Sequence, residues 1–135
     1  MVVDASAVVE LLRLGPESAA IQREIVRHDF DLHAPALIDV EVLSALRRLL
    51  VTSEMNAARA DEAVQDLLGL SLTRYPQEAL VPRIWELKGN FTPYDAACLA
   101  LAEALADDGV PLLTTDAKLA RTAHDHTGAE VLLAR

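Results

Sequence analysis

The chain has 135 residues, a length that predicts one domain, spanning residues 1–135, with a single sizeable core. Its formal net charge of −9 and its pI near 4.7 argue against a general nucleic-acid binder, because that class is usually basic. A nuclease is not excluded, since bound divalent cations offset negative charge locally. The single cysteine, Cys98, cannot form an internal disulfide, and no apolar run approaches the length of a membrane span. We therefore expect a cytoplasmic protein that does not contact membranes.

Short apolar segments alternate with helical patterns along the chain. Strands are predicted at residues 1–3, 32–34, 70–75, 112–114 and 130–133, and helices at residues 6–14, 16–28, 36–51, 53–68, 77–88, 92–106 and 116–124. Ser53 is the expected N-cap of the fourth helix, and Pro82 is expected to delay or kink the fifth. The sixth is apolar nearly all round, which predicts an internal helix. The alternation predicts a three-layer α/β fold in which helices flank a small central parallel sheet.

Two acids follow predicted strands. Asp4 ends the continuously apolar first strand, which is typical of the centre of a parallel sheet, and Asp116 follows the strand at 112–114. Ligands of α/β sheets bind at the carboxyl ends of the strands, although each acid is also a suitable N-cap for the helix that follows it. The hydroxyls of the neighbouring Ser6 and Thr115 could hold a carboxylate or a water on a metal, or serve as ordinary helix-start residues.

Two further acids lie where a solvated charge is not expected. Asp95 stands three residues after Thr92, which would explain it as part of a capping box, but the same helix face continues as apolar residues. An interior-facing carboxylate with a functional role is therefore favoured. Glu41 lies inside the helix at 36–51 and borders its buried stripe, where an unpaired carboxylate is costly. Its partner would be a basic residue, with Arg48 as one candidate, or a metal.

Several carboxylates that converge at one sheet edge repel each other unless a hard cation lies among them. Ligation by oxygen alone selects Mg²⁺ or Mn²⁺, and such ions activate water and stabilise charge on a phosphodiester. Arg13, Lys118 and Arg121 follow the junctions that hold the acids, so we expect them to contact the phosphates of a nucleic acid.

With these residues identified, the sequence resembles the PIN-domain ribonucleases, specifically the toxins of VapBC-type toxin–antitoxin pairs. The similar segments occur in the order of the family and cover essentially the whole chain. They are residues 2–7, 35–48, 92–97, 99–103, 112–116 and 118–120.

The resemblance implies a PIN-like fold and a metal-dependent endoribonuclease whose catalytic acids are Asp4, Glu41, Asp95 and Asp116. Asp4 and Asp95 would bind Mg²⁺ or Mn²⁺, Asp116 would help to hold a metal or a water, and Glu41 would orient a water. A fifth acid found in some members is not assignable, because Lys118 stands at the second position after Asp116.

The resemblance also implies partners. These are an RNA substrate and a cognate antitoxin whose C-terminal segment covers the groove, with assembly as a homodimer or as a toxin–antitoxin hetero-oligomer. The hydrophobic fraction of 52% is high for a monomer of this size and favours a partner that covers part of the surface.

Other classes fit the residues less well. A receiver domain needs adjacent acids after the first strand, and a haloacid-dehalogenase-like phosphatase needs an acid where this chain has Ser6. A serine or cysteine hydrolase lacks a nucleophile elbow, and Cys98 is interpreted as a core residue. His124 and His126 diverge on a helix, so favourable charge placement near its C-terminus explains them better than metal binding. A catalytically silent binding module with the same fold remains an alternative.

Overall fold

The structure is a computed structural model that describes all 135 residues. Five strands and seven α-helices occur along the chain. In order they are β1 (Val2–Val3), α1 (Ala5–Leu12), α2 (Ser18–Arg27), β2 (Leu32–Pro35), α3 (Ile38–Val51), α4 (Ala57–Gly69), β3 (Leu72–Tyr75), α5 (Val81–Glu86), α6 (Pro93–Ala104), β4 (Leu112–Thr114), α7 (Ala117–His126) and β5 (Val131–Leu133). Short 3₁₀ turns cover Glu78–Leu80, Leu87–Gly89 and Ala106–Asp108. None of the helices has the length and apolar character needed to traverse a lipid bilayer.

The strands form one parallel sheet in the order β3-β2-β1-β4-β5. The central strand β1 places Val2 opposite His33 of β2 on one side and opposite Leu112 of β4 on the other. After β1 the chain builds β2 and β3 to one side, and it later adds β4 and β5 to the other side. The strand order therefore reverses between β1 and β4, and a crevice opens beyond the carboxyl ends of strands at such a point.

Both faces of the sheet are covered by helices. Val3 belongs to a core that includes residues of α1, α2, α3 and α4, whereas Val2 belongs to a second core formed mainly with α6 and α7. Successive residues of a strand point to opposite faces, so even the two-residue strand β1 contributes to both cores. These layers confirm the predicted α/β/α arrangement.

Helix α6 is internal, as its all-round apolar character predicted. Every residue from Ala96 to Ala102 is at most 3% exposed. Its first turn carries Asp95, which is only partly buried, so the helix passes from the protein surface into the core. This placement brings Asp95 to the same end of the sheet as Asp4.

Three helix starts differ from the prediction or refine it. Helix α4 begins after Asn56, whose Oδ1 accepts a hydrogen bond from the backbone N–H of Arg59 at 2.8 Å. The predicted N-cap Ser53 is wrong, because this residue takes a left-handed φ of 60° just beyond α3. Helix α3 begins at Ile38 rather than at residue 36, since strand β2 continues through residue 35. Helix α5 starts only at residue 81, with Pro82 in its first turn, as a delayed start requires.

The end of α1 is held by a buried carboxylate. Glu10 is 6% exposed and accepts hydrogen bonds from the backbone N–H of Glu17 at 3.0 Å and from Nε of Arg13 at 2.7 Å. A Cβ on Gly15 would lie 2.0 Å from Oε1 of Glu10, so a larger residue there would displace this carboxylate from its hydrogen bonds. The turn after α1 therefore depends on Gly15 for space, and Arg13 is committed to Glu10.

Candidate active site

Asp4 lies at the carboxyl end of the central strand and is 6% exposed. Its Oδ1 accepts hydrogen bonds from the backbone N–H of Ala7 at 2.9 Å and from Oγ of Ser6 at 2.7 Å, and its Oδ2 accepts one from Oγ1 of Thr114. Burial raises the pKa of Asp4, and the charge of Asp95 adds to this rise. Asp4 caps α1 and is at the same time a buried carboxylate in contact with no basic group. The two roles considered for it therefore coexist.

Glu41 and Asp95 are near Asp4 and near each other. Burial raises the pKa of Glu41 to about 7, with further contributions from the negative charges of Asp95 and Asp4. Glu41 takes part in none of the eight ion pairs, and Arg48 does not pair with it as the alternative interpretation required. Burial also raises the pKa of Asp95, and the charge of Asp116 contributes. Each carboxylate thus lies in the field of other carboxylates.

Asp116 lies at the same edge of the sheet but is exposed. Its Oδ1 accepts hydrogen bonds from the backbone N–H groups of Lys118 at 2.8 Å and Leu119 at 3.0 Å, which makes it the N-cap of α7. Its negative charge contributes to the raised pKa of Asp95. The capping role is therefore present, and the carboxylate remains open to solvent on its other oxygen.

Thr114 is the supporting residue that sequence reasoning missed. It is fully buried, donates to Asp4, and accepts a hydrogen bond from the backbone N–H of Asp116 at 3.0 Å. The hydroxyl expected to hold a carboxylate was that of Thr115, but Thr115 contributes its backbone N–H, which donates to Oγ of Ser6 at 3.1 Å. Neighbouring residues of an extended segment face opposite sides of the sheet, so only one of the two threonine hydroxyls could reach the carboxylate of Asp4. A hydroxyl in a fully buried strand that needs a partner was the available signal.

Cys98 lies in α6 and is 2% exposed, which agrees with its interpretation as a core residue. Burial raises the pKa of its thiol well above the usual value, and the charges of Asp4, Glu41 and Asp95 raise it further. The thiol therefore stays protonated. One buried group in the field of all three acids indicates that they converge on the same region.

The donor set fits a hard divalent cation chemically. It consists of carboxylate oxygens without a basic partner, and ligands of this kind are preferred by Mg²⁺ and Mn²⁺. No group of three or more Asp, Glu, His or Cys side chains is close enough in this structure to hold a metal ion. Because three hydrogen bonds hold Asp4, the side chains of Glu41 and Asp95 would have to turn toward it for the cluster to hold a cation.

A groove of about 760 Å³ runs from this cluster between α1 and α3, and we call it the α1–α3 groove. Its lining includes Ser6, Arg13, Glu41, Arg48 and Tyr94. Of the three residues predicted to contact phosphate, only Arg13 lines this groove.

Arg13 lies in the groove but is paired with Glu10, whereas Lys118 and Arg121 are exposed on α7 and form no ion pair. Lys118 is in the first turn of α7, directly after Asp116, and Arg121 is one turn further along. A phosphate role for all three stays a prediction.

Comparison with known proteins agrees with this geometry. The sequence model of the PIN domain family matches residues 1–125. Ribonuclease VapC12 of Mycobacterium tuberculosis is 37% identical over 134 residues, which cover 99% of each chain. VapC ribonuclease Mb0985 of Mycobacterium bovis is 42% identical over 123 residues, which cover 90% of each.

A solved structure shares the fold at lower sequence similarity. The crystal structure of PAE2754 from Pyrobaculum aerophilum superposes with a TM-score of 0.63 at 23% identity, covering 96% of this chain and 81% of the other. The five-stranded parallel sheet, the acids at its carboxyl edge and these matches together show that this chain belongs to the PIN-domain family.

Proposed function

We propose that this chain is a Mg²⁺- or Mn²⁺-dependent endoribonuclease, the toxin of a VapBC-type pair, and that its cognate antitoxin inhibits it. The observation that carries the proposal is the convergence of Asp4, Glu41 and Asp95, without a basic partner, beside an open groove. The names of the relatives as VapC ribonucleases support the choice of RNA as the substrate.

The residues of the cluster have distinct roles in this proposal. Asp4 is held in one orientation by Ser6, Thr114 and the start of α1, so it serves as the fixed ligand. Asp95 and Asp116 complete the site from the neighbouring helix starts. A bound Mg²⁺ or Mn²⁺ supplies water activation and offsets charge on the phosphodiester during in-line displacement.

Glu41 is suited to proton transfer. Its pKa of about 7 applies to the cation-free chain; a cation that offsets the charges of Asp4 and Asp95 would lower this pKa and keep Glu41 as the carboxylate that a general base requires. It can therefore accept a proton from the attacking water and release it after cleavage.

The antitoxin part of the proposal rests on the same groove. Its lining is half apolar, with Val9, Leu37 and Leu49 among the residues, and Val40 at its edge is 65% exposed. A segment of the antitoxin that covers these side chains would block access to the carboxylates and form a toxin–antitoxin hetero-oligomer. Addition of the purified cognate partner is expected to stop cleavage.

The direct test is cleavage of RNA by the purified protein with Mn²⁺, with Mg²⁺ and with EDTA. We expect cleavage only with a divalent cation, and a loss of about two orders of magnitude or more in Asp4→Asn, as for other groups that stabilise transition-state charge. Asp107→Asn, the same change at an exposed aspartate far along the chain, is the matched control and should cleave normally. Wild-type protein that cuts no RNA with either metal would refute the proposal, and so would an unchanged Asp4→Asn variant.

A further inference from the structure

The α1–α3 groove contains two arginines, and only one of them is available to a ligand. Nε of Arg13 donates to the buried carboxylate of Glu10 at 2.7 Å. Arg48 is exposed and belongs to none of the ion pairs. The acid nearest to it in sequence along the groove, Glu54, accepts a hydrogen bond from Oγ1 of Thr52 at 2.6 Å instead. Arg48 is therefore the uncommitted cation of the groove.

Arg48 is far enough from the carboxylate cluster to bind a phosphate next to the one that is cleaved. It lies on the same helix as Glu41, seven residues further along, which is two turns or roughly 10 Å of helix. A guanidinium presents paired N–H donors that match the oxygens of a phosphate, and Arg48 has none of these donors engaged by a carboxylate.

The groove also contains an exposed aromatic ring. Tyr94 is 52% exposed, directly precedes Asp95 in α6, and lines the groove together with Glu41 and Arg48. An exposed ring beside a carboxylate cluster is not needed for the core. It offers a face on which a base can stack, an interaction that is sequence-tolerant and contributes to the binding of single strands.

We propose that the α1–α3 groove binds a single-stranded segment of the RNA next to the cleaved phosphodiester, with Arg48 on a phosphate and Tyr94 stacked on a base. This inference deepens the proposed function and rests on it. A stacking ring together with one uncommitted guanidinium suits an unpaired RNA strand, because a paired strand keeps its bases stacked on each other. The two side chains determine which RNA segments are held long enough to be cut.

Helix α3 supplies a matched control. Arg47 adjoins Arg48, is likewise exposed, and forms no ion pair, but it does not line the groove. Charge lost at either position changes the net charge of the protein equally. A difference in kinetics between the two variants therefore shows an effect of the groove, not of the net charge of the protein.

The experiment measures cleavage kinetics of the full chain with Mn²⁺ on a single-stranded RNA oligonucleotide that contains a site cut by the wild type. Arg48→Gln should raise KM about ten-fold with little change in kcat, and should lower the slope of log affinity against log salt by about one. Arg47→Gln should stay within two-fold of the wild type. Tyr94→Ala should raise KM by about ten-fold, whereas Tyr94→Phe, which keeps the ring, should resemble the wild type.

Several outcomes would overturn the inference. Equal kinetics and equal salt dependence for Arg48→Gln and Arg47→Gln, in a protein whose wild type cleaves RNA, would refute the groove assignment and leave the proposed function standing. A Tyr94→Ala variant with wild-type KM would do the same for the stacking role. Wild-type protein that cuts no RNA would refute both proposals together. Arg48→Lys, which keeps the charge but loses the paired N–H donors, provides the test if Arg48→Gln fails to fold: it should keep the salt slope and raise KM, and an unchanged KM would refute the phosphate role.

Discussion

Glu41 should destabilise the metal-free protein, so its neutral replacement Glu41→Gln should stabilise it. The carboxyl has a pKa of about 7 in the folded chain, against an ordinary value of 4.5. A difference of about 2.5 in pKa corresponds to about 3.4 kcal/mol, and solvent screening of this half-buried group reduces the expected effect to about 1–3 kcal/mol.

The sign of the pH dependence follows from the raised pKa. The folded state binds the Glu41 proton more tightly than the unfolded state does, so the associated stability is fully present below pH of about 4.5 and is lost as the pH rises through about 7. Glutamine carries no charge at any pH and does not lose this stability. The gain of Glu41→Gln should therefore be small at pH 5 and greatest at pH 8. Asp4 and Asp95, whose pKa values are also raised, remain in both proteins and largely cancel in the comparison.

The assay is urea unfolding of both proteins in EDTA at several values between pH 5 and pH 8. Glu54→Gln, at the exposed far end of the groove, is the control and should change the free energy of unfolding by less than about 0.5 kcal/mol throughout. If Glu41→Gln is less stable than the wild type at pH 8, or if the difference does not depend on pH, then the carboxylates do not repel each other as inferred. The same variant should lose RNA cleavage, a cost in activity that accompanies the gain in stability.

Two further predictions concern the support of the site and its cation. Thr114→Val keeps the shape of a fully buried residue but removes the hydrogen-bond donor to Asp4. It should lower the free energy of unfolding by about 1–3 kcal/mol and reduce RNA cleavage. Wild-type stability of this variant in urea would show that the hydroxyl is dispensable. Millimolar Mn²⁺ should raise the melting temperature of the wild type, since a cation at 100 times its Kd adds about 2.7 kcal/mol to the free energy of unfolding. In a thermal scan, Asp4→Asn should lose most of this rise. An equal rise in both proteins would place the cation elsewhere.

Much of the architecture could be predicted because local signals and global packing agree. The continuous apolar character of β1 and the all-round apolar character of α6 each have one physical explanation, burial on all sides. Asp4 and Asp116 were identified by their place after strands, and parallel topology brings such positions to one edge. The exact helix starts were less predictable. Ser53 and Asn56 are both good N-caps, and only the path of the chain after α3 selects Asn56.

The contacts within the site depend on tertiary pairing that local sequence patterns do not reveal. The pairing of β4 with β1 decides which side of the sheet each residue of β4 faces. It is therefore this pairing that brings Thr114, and not Thr115, to Asp4. Arg48 was one candidate partner for Glu41, although seven residues of α3 separate the two and helical side chains pair best three or four residues apart. It extends along the groove instead and leaves Glu41 among carboxylates. Side-chain direction at a partly exposed position is set by neighbours that are distant in the chain.

The hydrogen bond from Thr114 to Asp4 joins residues 110 positions apart, and β1 pairs with β4 across the same interval. This has a consequence for synthesis. At about 5–20 residues per second, a ribosome needs roughly 5–20 s after making Asp4 before it adds Thr114. During that time the nascent chain contains Asp4, then Glu41 and finally Asp95, but not strand β4, whose Thr114 orients Asp4. A chain that ends within this interval therefore lacks Thr114, and its carboxylate site stays unassembled.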